Sequence, residues 1–105
     1  MVYLSNAFSI QMLPETGATV QVVPVTPDQV VDALGEKFIS AVGHQDTAAV
    51  VSTILGVEVP MNRVNVHLDL GDTLFVAQIM GGRLPEGATT LPEGVELRFF
   101  RVTLL

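Results

Sequence analysis

Apolar and polar positions along the chain follow two rhythms, and the changes between them mark out its elements. Residues 2–4 form a short apolar run of strand type, broken by the polar pair Ser5-Asn6 before "AFSIQML" resumes an apolar pattern. The stretch "ATVQVVPV" (residues 18–25) predicts a strand. Pro24 has no N–H to give to a ladder, so it places that strand at a sheet edge or ends its pairing. In "TPDQVVDALGE" the signals are those of a helix: Thr26 can cap the first turn, Pro27 suits the first helical position, Gln29 completes a capping-box spacing and Gly35 suits the stop. "KFISAVG" predicts a compact strand. Asp46 is the expected cap of a second helix, in which Thr47, Val50, Val51, Ile54 and Leu55 share one face before Gly56 ends it.

Strict alternation returns in "VNVHLDL", where Val64, Val66, Leu68 and Leu70 interleave with Asn65, His67 and Asp69. With "TLFVAQIM" it predicts an antiparallel hairpin across Gly71-Asp72. A connection rich in glycine and proline, "GGRLPEGATTLPEG", leads to a last strand in "ELRFFRVTLL". No repeat or low-complexity segment stands out. Strands and helices mingle, so the expected fold class is α/β bordering on α+β. That fold is one domain over residues 1–105, with a mixed, mainly five-stranded sheet flanked by helices.

Composition narrows the setting. A chain of 105 residues can bury a single core, and a domain this small gains stability by pairing with a copy of itself. Hydrophobic residues make up 49% of the chain, yet they fall in short runs, none near the length that spans a bilayer, so no membrane association is expected. There is no cysteine, and the N-terminus lacks a basic start followed by a long apolar stretch. A cytoplasmic setting is the expectation. Eleven acidic residues against five basic ones give a net charge of -6, which argues against long nucleic acids as partners while leaving room for a small anion in a local basic pocket.

The two histidines sit in different surroundings. His67 lies on the polar phase of an alternating segment and is expected on the surface. His44 follows a strand end and Gly43 and precedes a helix, where unpaired N–H groups and the helix dipole favour an anion. A polar loop residue beside a turn-forming glycine would give the same local pattern. In "QIMGGRLPEG", two glycines free the backbone after a strand, and Arg83 and Glu86 follow within about one turn of chain. Arginine suits bidentate phosphate binding, and glutamate can orient a partner or exchange a proton. Read alone, this cluster also fits a solvated loop. No spacing of histidines, cysteines or carboxylates matches a metal site, and Ser9 in "NAFSIQ" lacks the G-x-S-x-G elbow of a hydrolase.

Taken together, "YLSNAFSIQML", "SAVGHQDTAAVVSTILG", "NRVNVHLDLGD" and "AQIMGGRLPEG", in this order and at these separations, closely resemble the small ring nucleases used by archaeal viruses and phages as type III anti-CRISPR proteins, and their prokaryotic host homologues. The resemblance covers nearly the whole chain. It implies a homodimer that encloses one ring of cyclic tetra-adenylate and cuts it to linear di-adenylates without metal or other cofactor, switching off type III CRISPR signalling. Carried over by position, it implies catalytic roles for His44, Arg83, Glu86 and Ser9. Ligand contacts are implied for Asn6, Gln78, Gly43 and again Arg83.

The implied chemistry is physically coherent. An RNA 2′-hydroxyl beside a phosphodiester is a built-in nucleophile, so alignment and charge stabilisation can suffice for cleavage. His44 is then the natural acid for the leaving 5′-oxygen, because histidine is the side chain whose ordinary titration lies nearest neutrality. Arg83 would stabilise phosphate charge. Glu86 could orient the histidine or Arg83, or accept the 2′-hydroxyl proton. Two other classes stay open: a protein that sequesters the ring without cutting it has no use for an acid, and a structural protein needs none of these polar groups.

Overall fold

The computed structural model covers residues 1–105 and orders its elements as β1 (Val2–Ser5), β2 (Val20–Val25), α1 (Pro27–Leu34), β3 (Ile39–Ala41), α2 (Gln45–Leu55), β4 (Thr73–Met80) and β5 (Glu96–Leu104). The five strands form one mixed sheet in the order β2-β5-β4-β1-β3. β3, β1 and β4 run parallel to one another, while β5 is antiparallel to both β4 and β2. The fold class is therefore α+β. Pro24 lies in β2, an edge strand, where its missing N–H removes nothing from a second neighbour.

Alternation along β4 divides the core in two. Phe75 and Ala77 face the helices, packing with Leu4, Phe99, Val30 and Leu34 of α1, and Ala48, Val51 and Leu55 of α2. Leu74 and Val76 face the other way, against Val66, Leu68, Ala41 and Val102. Both helices thus cover one face of the sheet. The opposite face is covered by the extended chain before β4 and, near Met12, by a single 3-10 turn, Ile10–Met12. This 3-10 turn is what becomes of the apolar run after Asn6; Ile10 itself is 83% exposed.

α1 forms as its local signals dictate. The Thr26 hydroxyl accepts from the Gln29 N–H (3.2 Å), the Gln29 side chain accepts from the Thr26 N–H (2.9 Å), and Gly35 ends the helix at φ 58°. α2 departs from expectation at its start. His44, not Asp46, is the N-cap residue, and its side chain makes no capping bond; Asp46 lies in the first turn. The buried face holds Thr47, Val50, Val51 and Leu55, and Gly56 closes the helix in the left-handed region.

The hairpin expected across Gly71-Asp72 does not form. β4 already has β1 on one side and β5 on the other, so no edge is free for residues 64–70. That segment instead crosses the face of the sheet, sinking Val66 and Leu68 while His67 points outward, and the Leu68 N–H donates to the Met12 carbonyl at 2.8 Å. Alternation holds for burial only at the centre of the segment, since Val64 and Leu70 at its ends are exposed, and a pairing partner does not follow from it. The turn into β4 is held by Asp72, whose carboxylate accepts from the Asp69 N–H (3.0 Å) and pairs with the terminal ammonium of Met1 (3.1 Å). These contacts, the Asp69 bond foremost, hold the Asp72 carboxyl below its ordinary range. No helix is long and apolar enough to cross a membrane.

Candidate functional site

Because β1, β3 and β4 are parallel, their carboxyl ends lie on one edge of the sheet, the place where open α/β sheets hold ligands. Asn6 follows β1, Gly43-His44 follows β3, and Gly82-Arg83 follows β4. Register then makes a wall. Ser5 pairs with both Ala41 and Val76, so the last four residues of β4 overhang the ends of β1 and β3 by about 13 Å at ordinary strand rise. Ile79 on this overhang faces the first turn of α2. A cavity of about 270 Å³ lies between them, lined by His44, Asp46, Thr47, Ile79, Gly82, Arg83 and Leu84. A second cavity, of about 640 Å³, adjoins it, with Gly43, Met61, Arg63 and Glu86 in its walls. His44, Asp46 and Leu84 belong to both, so the histidine stands on the ridge between the two hollows.

His44 thus shares one cavity with Arg83 and the adjoining one with Glu86, all three exposed and none hydrogen-bonded to another. Gly43 joins them. Asn6 reaches the cleft indirectly: the Gly43 N–H donates to its Oδ1 at 3.3 Å. Its neighbour Ser5, which shares the polar interruption in β1, is buried, with a hydroxyl that donates to the Ala7 carbonyl and accepts from the Ala7 N–H. Two expected residues lie elsewhere. Gln78 alternates with Ile79 and so leaves β4 on the opposite face, where its Nε2 donates to the Ile79 carbonyl. Ser9 lines a separate hollow of about 150 Å³ together with Gln11, Asn65 and His67.

Arg63 is the residue that sequence reasoning passed over. Its Nε donates to the Gly43 carbonyl at 2.9 Å, and it shares the larger cavity with His44 and Glu86. The available signal was scarcity: of five basic residues in the chain, Arg63 and Arg83 flank one cleft, concentrating positive charge on an acidic protein. Two carboxylates, Asp46 and Glu86, share the walls of the larger cavity with Arg63.

Against the expectation of a chain without repeats, the loop carrying Arg83 and Glu86 contains one tetrapeptide twice. Residues 84–87 and 91–94 both read LPEG, and each makes the same turn: the Ala88 N–H donates to the Pro85 carbonyl, the Val95 N–H to the Pro92 carbonyl, and Gly87 and Gly94 take φ 79° and 80°. The second turn packs onto Gly81, where φ is 85° and an added Cβ would meet the Gly94 carbonyl oxygen at 2.4 Å. Gly81→Ala should therefore destabilise the fold by more than the roughly 1–3 kcal/mol of left-handed strain alone. Gly87→Ala, with open space around its Cβ, should carry only the strain. Urea midpoints that move equally in the two variants would remove the Gly81–Gly94 contact from the account.

Fold and cleft together define a small α+β protein with a pair of adjoining cavities at the carboxyl ends of parallel strands. The chain belongs to the STIV B116-like family, whose sequence profile matches residues 2–100. Over 88 residues it is 38% identical to protein 26 of Sulfolobus islandicus filamentous virus (isolate Iceland/Hveragerdi), covering 83% of this chain and 74% of that protein. Over 90 residues it is 31% identical to protein ORF117 of Acidianus two-tailed virus, covering 83% and 75%. Its fold is shared with B116 of Sulfolobus turreted icosahedral virus at a TM-score of 0.80 and 28% identity, over 97% of each chain. The family is thus one of archaeal virus proteins.

Proposed function

We propose that this protein is a ring nuclease that binds cyclic tetra-adenylate and cleaves it to linear di-adenylates, as an off-switch for type III CRISPR signalling. The observation that carries the reading is the meeting of two cavities at His44, beside the N-terminus of α2, with Arg83 in the wall of the smaller and Glu86 in the wall of the larger. In the proposed step the 2′-oxygen attacks the adjacent phosphorus, the bond from phosphorus to the 5′-oxygen breaks, and His44 gives its proton to that oxygen. The 2′-hydroxyl proton leaves to a base, a role open to Glu86 in the wall of the larger cavity. Arg83 and the first N–H groups of α2 offset charge on the phosphorane. The products end in a 2′,3′-cyclic phosphate. Two copies related by a two-fold axis would present paired clefts to opposite phosphates of one ring.

The test is a chromatogram of the ring after exposure to protein and a chelator. Linear di-adenylate with cyclic phosphate ends is expected; ring recovered intact but protein-bound would make this a sequestering protein, and ring neither bound nor cut would end the reading. Arg83→Ala should weaken binding and slow single-turnover cleavage together, by roughly 10²-fold in rate, because the guanidinium holds phosphate in both ground and transition states. Arg83→Lys should restore only part of it. Added salt should weaken wild-type binding more steeply than that of Arg83→Ala, and identical salt slopes would take Arg83 out of the phosphate site.

A further inference from the structure

α2 begins without a side-chain cap, and β3, only three residues long, ends three positions before His44. Something else must fix the approach to the helix. Every backbone polar group of the intervening link, Val42-Gly43, has a partner. The Val42 N–H donates to Ser40 Oγ (3.4 Å), and the Val42 carbonyl accepts from the Asn62 N–H (2.8 Å). The Gly43 N–H donates to Asn6 Oδ1 (3.3 Å), and the Gly43 carbonyl accepts from Arg63 Nε (2.9 Å). The Arg63 stem lies against the same residue: a Cβ added to Gly43 would stand 3.2 Å from Arg63 Cγ. The peptide before His44 is held from one side by the residue after β1 and from the other by the chain that crosses the opposite face of the sheet.

We propose that Asn6 and Arg63 are positioning residues for His44, acting through this grip on Gly43. The inference rests on the reading of His44 as the acid, and it gives Asn6 a different task from ligand contact. Without a side-chain cap, the direction in which the imidazole leaves the backbone depends on the Gly43 peptide plane. Releasing either bond lets that plane turn. A displacement of about 1 Å at a reacting group can lower a rate by 10²-fold without changing the groups present. The arrangement also gives a role to Arg63, for which neither histidine nor phosphate contact is required.

Four variants test it: Asn6→Ala, Asn6→Asp, Arg63→Met and the double variant Asn6→Ala/Arg63→Met. Asn6→Asp keeps an oxygen for the Gly43 N–H, and Arg63→Met keeps the stem over Gly43 while removing the donor. The first readout needs no substrate. Amide exchange at Gly43 should rise roughly tenfold in Asn6→Ala and stay near parental in Asn6→Asp. The His44 ring signals in NMR should shift in Asn6→Ala and Arg63→Met at unchanged urea midpoints. In single turnover, Asn6→Ala and Arg63→Met should each slow cleavage by roughly 10- to 100-fold, with Asn6→Asp near parental. Affinity for the ring, measured for Asn6→Ala in a His44→Ala background, should change by less than about threefold. Because both residues act on one peptide, the double variant should lose little more than the worse single variant. Gly43 exchange and His44 signals that stay parental in all four variants would overturn the proposal. So would fully multiplicative losses in the double variant, or an Asn6→Ala defect confined to affinity. Should the wild type leave the ring uncut, the function fails, and the exchange and NMR measurements still decide the grip.

Discussion

Replacing His44 with alanine should slow ring cleavage by a factor on the order of 10² to 10⁴, the usual size of a general-acid contribution, while ring binding survives. The separation of binding from chemistry follows from where the cleft keeps its charge. Arg83 and the first turn of α2 both remain when the imidazole is removed. His44 is an exposed side chain on the ridge between two cavities, so its truncation leaves no hole in the core. Stability should accordingly hold, and loss of activity can be read as loss of chemistry. His67→Ala is the paired control. His67 is exposed in a different hollow, the one that also holds Ser9 and shares no lining residue with the cavities around His44. Parental cleavage by His44→Ala would refute the acid assignment. An equal loss in His67→Ala would move the reacting centre toward Ser9.

What the sequence disclosed and what it withheld divide along one physical line. α1 was legible because its start and stop are settled within a few residues, by the reciprocal bonds of Thr26 and Gln29 and the positive φ at Gly35. The edge position of β2 was legible because a missing N–H at Pro24 acts wherever the strand goes. The hairpin was not. Residues 64–70 carry a faultless period of two over Val66 and Leu68, but whether a strand finds a partner depends on which edges the rest of the chain leaves open, and β1 and β5 had taken both sides of β4. The cap of α2 failed for the same reason. Asp46 has the right chemistry, yet His44 is the N-cap, directly after Gly43, whose N–H and carbonyl are bonded to Asn6 and Arg63 from far away in the chain.

The site divides likewise. His44 showed in the pattern because a strand-to-helix junction is a local signal, and Arg83 with Glu86 showed because glycines free the chain before them. Arg63 was hidden by the hairpin expectation, which made it the lead-in to a strand when in fact the chain around it is bonded to Ser40, Val42 and Gly43 at the end of β3. Gln78 and Ser9 came from resemblance alone, and the alternation of β4 and the path after Asn6 send both away from the cavities that hold His44.

The largest loss of stability is expected from Phe75→Ala. Phe75 is 2% exposed on β4, a strand paired on both sides, with Leu4 opposite in β1 and Arg101 opposite in β5. Its ring lies where the sheet meets both helices, so no single neighbour can move in to fill the space without leaving another contact. Phe-to-Ala changes at such sites cost about 3–5 kcal/mol, against the roughly 5–15 kcal/mol that holds a whole domain together. The thermal midpoint should fall by roughly 15–30 °C. Val22→Ala is the contrast: the side chain is 53% exposed on the edge strand, and its loss should stay within about 1 kcal/mol. The overhang of β4 that carries Ile79 begins only after Val76, so the two effects of Phe75 separate in a single experiment. Below the new midpoint, cleavage per folded molecule should remain close to parental even though the folded fraction has dropped. A midpoint within a few degrees of the wild type would mean the core relaxes around the missing ring. A fully folded variant with impaired cleavage would mean that packing beneath β4, as well as the grip on Gly43, sets the geometry of the cleft.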